Sequence, residues 1–176
     1  MAGERLALLY SQDEISKITE RIAHQISQEC KGKDVILVCI LKGAFIFMAD
    51  LVRNLSIPVK IDFVRLASYG AKSHSSRNVT ITMDTGLSIK GKDVIIVEDI
   101  LDSGLTLSFL MNRLMNEKPE SLRLCVLIDK KERREVDIQP DYVGFVLEKG
   151  FVVGYGLDFN EKYRYLPEIY RIESDC

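Results

Sequence analysis

The chain has 176 residues, with 24 Lys and Arg against 26 Asp and Glu, a formal charge of −2. An apolar share of 47% and a charged share of 28% suit one globular domain spanning 1–176, and exclude a disordered chain, a collagen-like chain or a basic nucleic-acid coat. No apolar run approaches the roughly 20 residues of a membrane-spanning helix, and the stretch Leu6 to Tyr10 is too short for a secretory leader, so a cytoplasmic protein is expected.

Ser11-Gln12-Asp13-Glu14 has the Ser-x-x-Glu form of a capping box. Ile15, Ile18, Ile22 and Ile26 follow at spacings of three and four, which predicts an amphipathic helix to about Glu29. Val35 to Leu41, opened by Asp34, is continuously apolar and reads as a strand covered on both faces. Lys42-Gly43 breaks it, Ala44 to Leu55 reads as a second helix, and Val59 to Ala67 as a strand after Pro58. From Ser68 to Asn78 the chain is polar and without periodicity, which reads as a mobile loop long enough to be functional. Val79 to Met83 and Asp93 to Glu98 are strands, Leu105 to Asn116 a helix. Leu122 to Ile128, Tyr142 to Leu147 and Phe151 to Tyr155 complete the strands. Repeated strand–helix–strand units imply an α/β domain with a mainly parallel, twisted sheet flanked by helices.

Cys30, Cys39, Cys125 and Cys176 form no Cys-x-x-Cys pair, and Cys39 and Cys125 lie in apolar runs where they read as small core residues. His24 and His74 are too far apart in the chain for a zinc site built on imidazole.

Ligands of open α/β sheets bind beyond the carboxyl ends of the strands. The most informative such end is Val94-Ile95-Ile96-Val97-Glu98-Asp99-Ile100-Leu101-Asp102-Ser103-Gly104-Leu105-Thr106. A buried strand ends in two adjacent carboxylates, passes a third, and enters a helix through Ser-Gly-x-Thr. Backbone N–H groups and two hydroxyls converge there at a helix N-terminus, a ready anion site. The carboxylates suit a ligand that also presents hydroxyls, a metal or a base, and a sugar phosphate meets all these demands. Neither Gly-x-x-x-x-Gly-Lys-Ser/Thr nor Gly-x-Gly-x-x-Gly after a strand occurs, which weakens ATPase and dinucleotide readings.

The 13 residues Val94 to Thr106 resemble the phosphoribosyl-diphosphate (PRPP) signature of the type I phosphoribosyltransferases. Leu41-Lys42-Gly43-Ala44 resembles the diphosphate loop of the hypoxanthine-guanine phosphoribosyltransferases, and Ser68-Tyr69 the start of their flexible catalytic loop. Lys130, Gln139 to Phe145 and Phe151 to Glu161 match that family's purine-binding region in order and spacing. Leu105, apolar at the variable position of the signature, is similar to bacterial-type members.

The resemblance implies the type I fold with a small purine-binding hood from the chain ends, about 151–176. It implies a purine-salvage reaction in which a 6-oxopurine and PRPP give a nucleoside 5′-monophosphate and diphosphate, with Mg²⁺. By position, Asp102, Ser103, Gly104, Leu105 and Thr106 would hold the 5′-phosphate. Lys42, Gly43 and Arg164 would serve the diphosphate. Glu98 and Asp99 would bond the ribose hydroxyls and, with Asp158, carry the metal. Asp102 would face purine N7 as general base. Lys130 would donate to the 6-oxo group, Phe151 would stack on the ring, and Val152 and Asp158 would complete the purine site. In that family the Leu41–Lys42 peptide is often cis, and its members are homodimers or homotetramers.

The chemistry of these roles stands on its own. Loss of diphosphate leaves positive charge on the ribose carbon, so nearby carboxylates favour the transition state. An ammonium has donors only, so Lys130 prefers a 6-oxo acceptor to a 6-amino donor. The alternative is a regulator on the same fold that binds nucleic acid and senses PRPP or a nucleotide. It needs a basic face, whereas this chain is slightly acidic and its basic runs are broken by Glu132 and Glu135. Small-molecule substrates, with neither nucleic acid nor membrane as partner, are therefore expected.

Overall fold

A computed structural model describes residues 5–69 and 78–173. In chain order the elements are β1 (Arg5–Tyr10), α1 (Gln12–Glu29), β2 (Val35–Leu41), α2 (Phe45–Asn54), β3 (Val59–Tyr69) and β4 (Asn78–Met83). They continue with β5 (Asp93–Leu101), α3 (Leu105–Met115), β6 (Ser121–Lys130), β7 (Tyr142–Leu147), β8 (Val152–Val153) and β9 (Ile169–Glu173). Six strands form the main sheet in the order β4-β3-β2-β5-β6-β7. All its pairs are parallel except β3 with β4, an antiparallel hairpin. The α/β class and the mainly parallel sheet are as expected.

The continuous apolar runs have a plain cause: the sheet is covered on both sides. On one side Leu37, Cys39, Ile95, Val97, Cys125 and Leu127 pack with Ile15, Ile22 and Ile26 of α1 and Phe47 and Leu51 of α2. The alternate residues Ile36, Val38, Val94, Ile96, Leu124 and Val126 pack with Leu107, Leu110 and Leu114 of α3. Helix α1 starts where the capping box places it. The backbone N–H of Ser11 donates to Glu14 Oε2 at 2.8 Å, and Ser11 Oγ accepts from the Glu14 N–H at 3.4 Å. Cys30, Cys39 and Cys125 are free and buried. Burial, then the charges of Glu98 and Asp99, push the Cys39 thiol up to about 12, which makes it an inert core residue.

Several boundaries differ from the sequence reading; β6, for one, runs from Ser121 to Lys130 rather than from Leu122 to Ile128. Strand β5 runs three residues past Glu98, to Leu101, because its pairing with β6 continues through Ile100–Ile128 and Leu101–Asp129. The signature carboxylates Glu98 and Asp99 therefore lie within a strand. The backbone of Ser68, Tyr69 and Asn78 is strand, not loop, because Ser68 pairs with Val79 and Tyr69 with Asn78. The remainder of the expected mobile loop, with His74, lies outside the described residues, as does Cys176. The strand expected over Phe151 to Tyr155 shrinks to Val152–Val153. Beyond it Gly154 and Tyr155 turn to φ of 99° and 49°, which ends an extended ladder.

Strands β1 and β9 were not anticipated. They pair antiparallel, Arg5 opposite Glu173 and Leu8 opposite Tyr170, and β8 joins them in the order β1-β9-β8. This second sheet joins the two ends of the chain. No helix among the described residues is long and apolar enough to cross a membrane.

Candidate active site

Three neighbouring strands end side by side, and each delivers part of the site. Strand β2 leads into Lys42 through a cis Leu41–Lys42 peptide. At Gly43 an added Cβ would overlap the Asp99 carboxylate, so only glycine lets the turn approach β5 this closely. Gly156, at φ 98°, packs on the Gly43 carbonyl in the same way. The segment after β8 is thereby seated on the turn after β2.

Strand β5 contributes Glu98 and Asp99, successive residues whose side chains leave opposite faces of the strand. Asp99 is buried, and its Oδ1 accepts the Ile100 N–H at 2.9 Å. Burial is the main reason its carboxyl is pushed up to about 6, with Arg164 opposing and Asp158 adding to the rise. Glu98 rises well above the usual carboxylate range, from burial first and then from the charge of Asp99. Its Oε2 is buried with no hydrogen-bond partner among the described residues, and so is Oδ1 of Asp102. Orphaned buried acceptors of this kind are rare and call for an external donor or cation.

After Asp102 the chain turns into α3 through Gly104, which adopts φ 82° and serves as the N-cap. No side chain caps this helix. Ser103 Oγ accepts the Leu105 N–H at 3.4 Å, and Thr106 lies half-buried in the first turn. The arrangement offers helix N–H groups and hydroxyls to an anion.

Strand β6 ends in Lys130, only 4% exposed. Its Nζ lies 3.7 Å from Asp102 Oδ1 and 3.4 Å from Glu132 Oε2. Arg134, absent from the sequence reading as a site residue, stitches the two loops together. Nε donates to the Asp102 carbonyl at 3.0 Å, and Nη2 to the carbonyls of Leu101 at 3.3 Å and Lys130 at 3.1 Å. Nη2 also meets Asp129 Oδ1 at 2.5 Å, and Nη1 the Ile138 carbonyl at 3.0 Å.

The segment beyond β8 supplies the opposite wall. Phe151 is 44% exposed and meets Phe159 edge-on at 5.3 Å; Val152 is buried in β8. Arg164 Nη2 lies 2.7 Å from Asp158 Oδ1 and 3.4 Å from Glu161 Oε2. The same Glu161 oxygen holds Lys42 Nζ at 2.9 Å. Lys42 and Arg164, expected to share one anion, thus already share a carboxylate. Glu161 lay in the matched stretch but carried no expected role, and only the fold shows its place between two cations. Ser68 and Tyr69 stand at the end of β3, and their side chains are outside what is described.

The model for the phosphoribosyl transferase domain matches residues 8–160. The chain is 44% identical over 173 residues to the hypoxanthine-guanine phosphoribosyltransferase of Dictyostelium discoideum, covering 96% of each protein. Identity to the enzyme of that name from Aquifex aeolicus is 42%, over 98% of this chain and 97% of the other. Among solved structures, a hypoxanthine-guanine phosphoribosyltransferase from Bacillus anthracis superposes with a TM-score of 0.90 at 40% identity, over 97% of this chain and 99% of that one.

Proposed function

The chain belongs to the phosphoribosyltransferase family, among the hypoxanthine-guanine enzymes of purine salvage, and on that premise we propose how its residues share the reaction. A 6-oxopurine displaces diphosphate from PRPP and gives IMP or GMP. Purine N9 forms the bond to ribose C1′ while the C1′–oxygen bond breaks, its electron pair leaving with diphosphate. Asp102 accepts the N7 proton. The observation that carries this reading is the Lys130–Asp102 pair at 3.7 Å. It sets a donor-only group for O6 beside a carboxylate for N7, two atoms on one edge of a 6-oxopurine.

The turn into α3, from Asp102 to Thr106, takes the 5′-phosphate, and Lys42, Gly43 and Arg164 take the diphosphate. Phe151 stacks on the base, Val152 and Asp158 line it, and Ser68 and Tyr69 begin a lid. Mg²⁺ fits the carboxylates, because buried Glu98 Oε2 has no hydrogen-bond partner among the described residues. Among those residues, no three His, Cys, Asp or Glu gather into a metal cage. Mg²⁺ is commonly held by one or two carboxylates plus substrate phosphates, so one of the ribose-side carboxylates Glu98 and Asp99 would hold an ion together with PRPP, and Asp158 would assist a second. When bound, the ion neutralises charge on the leaving diphosphate. The relatives give no support to the nucleic-acid-binding regulator. A cytoplasmic homodimer or homotetramer completes the proposal.

The test is product analysis with PRPP, Mg²⁺ and four bases. Hypoxanthine and guanine are expected to yield nucleotides and adenine none, and xanthine shows whether a 2-oxo group is accepted. Nucleotide from adenine alone would overturn the assignment.

A further inference from the structure

Lys130 is a buried ammonium, and its two carboxylate neighbours have different fates in the reaction. On the reading above, Asp102 accepts the N7 proton and loses its charge during turnover. Glu132 has no such duty, yet its Oε2 lies 3.4 Å from Lys130 Nζ. The same Oε2 accepts the Gly150 N–H at 3.2 Å. Gly150 sits at φ 114°, a conformation that favours glycine, and directly precedes Phe151. The backbone reinforces this link, since the Lys131 N–H donates to the Leu147 carbonyl at 3.0 Å. The Gly150 N–H is also the first reason the Glu132 carboxyl is held below its ordinary range, with Lys130 contributing.

We propose that Glu132 is a positioning residue for base recognition, holding the Lys130 ammonium at the O6 position and fixing it relative to the Gly150–Phe151 rim. The inference rests on Lys130 reading the 6-oxo group. It follows from the balance of charge: a lysine 4% exposed needs a compensating carboxylate. Asp102 cannot remain that carboxylate once protonated. One Glu132 oxygen also ties the end of β6 to the segment that presents the stacking ring, so the group that reads the base edge and the group that covers its face keep a fixed separation. The Glu132 side chain is 43% exposed, so its replacement leaves the core intact.

Glu132→Ala and Glu132→Gln are compared with the wild-type protein and Lys130→Ala in steady-state assays with hypoxanthine and PRPP, alongside thermal melts. Glu132→Ala is expected to raise KM for hypoxanthine about tenfold, the size of effect that follows removal of one charge-assisted hydrogen bond, with KM for PRPP unchanged. Glu132→Gln keeps an acceptor for the Gly150 N–H, and its KM is expected to fall between the two. An unchanged hypoxanthine KM in Glu132→Ala, or an equal rise for PRPP, overturns the proposal. Lys130→Ala separates the two levels. If it raises hypoxanthine KM while Glu132→Ala does not, this inference alone fails; if neither does, the base-site reading fails with it.

Discussion

Asp102 lies between Lys130, whose Nζ is 3.7 Å from its Oδ1, and the turn that leads into α3. Its Oδ1 is buried without a hydrogen bond among the described residues, its carbonyl is pinned by Arg134, and Ser103 follows it into α3. Its backbone is thereby positioned before substrate arrives, and the buried Oδ1 is left free to accept a proton, as the proposed general base requires. Asp102→Asn keeps the shape and removes the proton acceptor. The expected result is a fall in kcat of about 10²–10⁴-fold, with melting temperature near wild type. Single-turnover measurement of nucleotide formation checks this, and near-wild-type turnover would remove Asp102 from the role. Glu98, Asp99 and Asp102 were legible as candidates where the apolar run Val94 to Val97 gives way to carboxylates, and Lys130 through its match to the purine-binding region. Arg134 and Glu132 were not. Both sit in the charged run Asp129 to Arg134, where composition alone describes a solvated surface, and only the fold sets Arg134 across the two loops and Glu132 beside Lys130.

At the scale of elements, the legible parts are those whose information is local. The capping box and isoleucine spacing locate α1, and strands β2 and β7 fall at the expected residues because each is a short apolar run, buried on both faces in β2 and half-buried at the sheet edge in β7. The missed parts depend on distant partners. Strand β1 is half exposed and takes its structure from β9, at the other end of the chain. The segment after β8 owes its path to non-glycine residues at positive φ, Tyr155, Asn160, Glu161 and Tyr163, of which only Asn160 is a residue type that favours that region. The turn into α3 is the element on which the proposed phosphate site would depend. Gly104 adopts φ 82°, and an added Cβ would come within 2.6 Å of Val136 Cγ2. Gly104→Ala is therefore expected to cost about 1–3 kcal/mol of stability and to raise KM for PRPP more than KM for hypoxanthine. Denaturant melts and steady-state kinetics measure both effects, and an unchanged PRPP KM would show that the turn does not shape the phosphate site.

For the whole molecule, a charge of −2 first looks poorly matched to a substrate as anionic as PRPP. The fold resolves this by placement. Lys42 and Arg164 come from segments far apart in sequence and converge on Glu161, while Glu98, Asp99 and Asp102 line the neighbouring strand end. On the proposed reading these cations would face the diphosphate and the carboxylates the ribose and base, with no need for a basic surface. The same two-sided sheet that buries the apolar runs brings the ends of β2, β5 and β6 into one row, so fold and site have one origin. The central claim is that Lys130, buried beside Asp102, selects a 6-oxopurine. Its most direct test is the ratio of kcat/KM for hypoxanthine over adenine, measured in the wild-type protein and in Lys130→Ala. A hydrogen-bonding site of this kind predicts a wild-type ratio of about 10⁴ or more, collapsing by at least about tenfold in the variant. A ratio that is unchanged by the substitution would contradict the account.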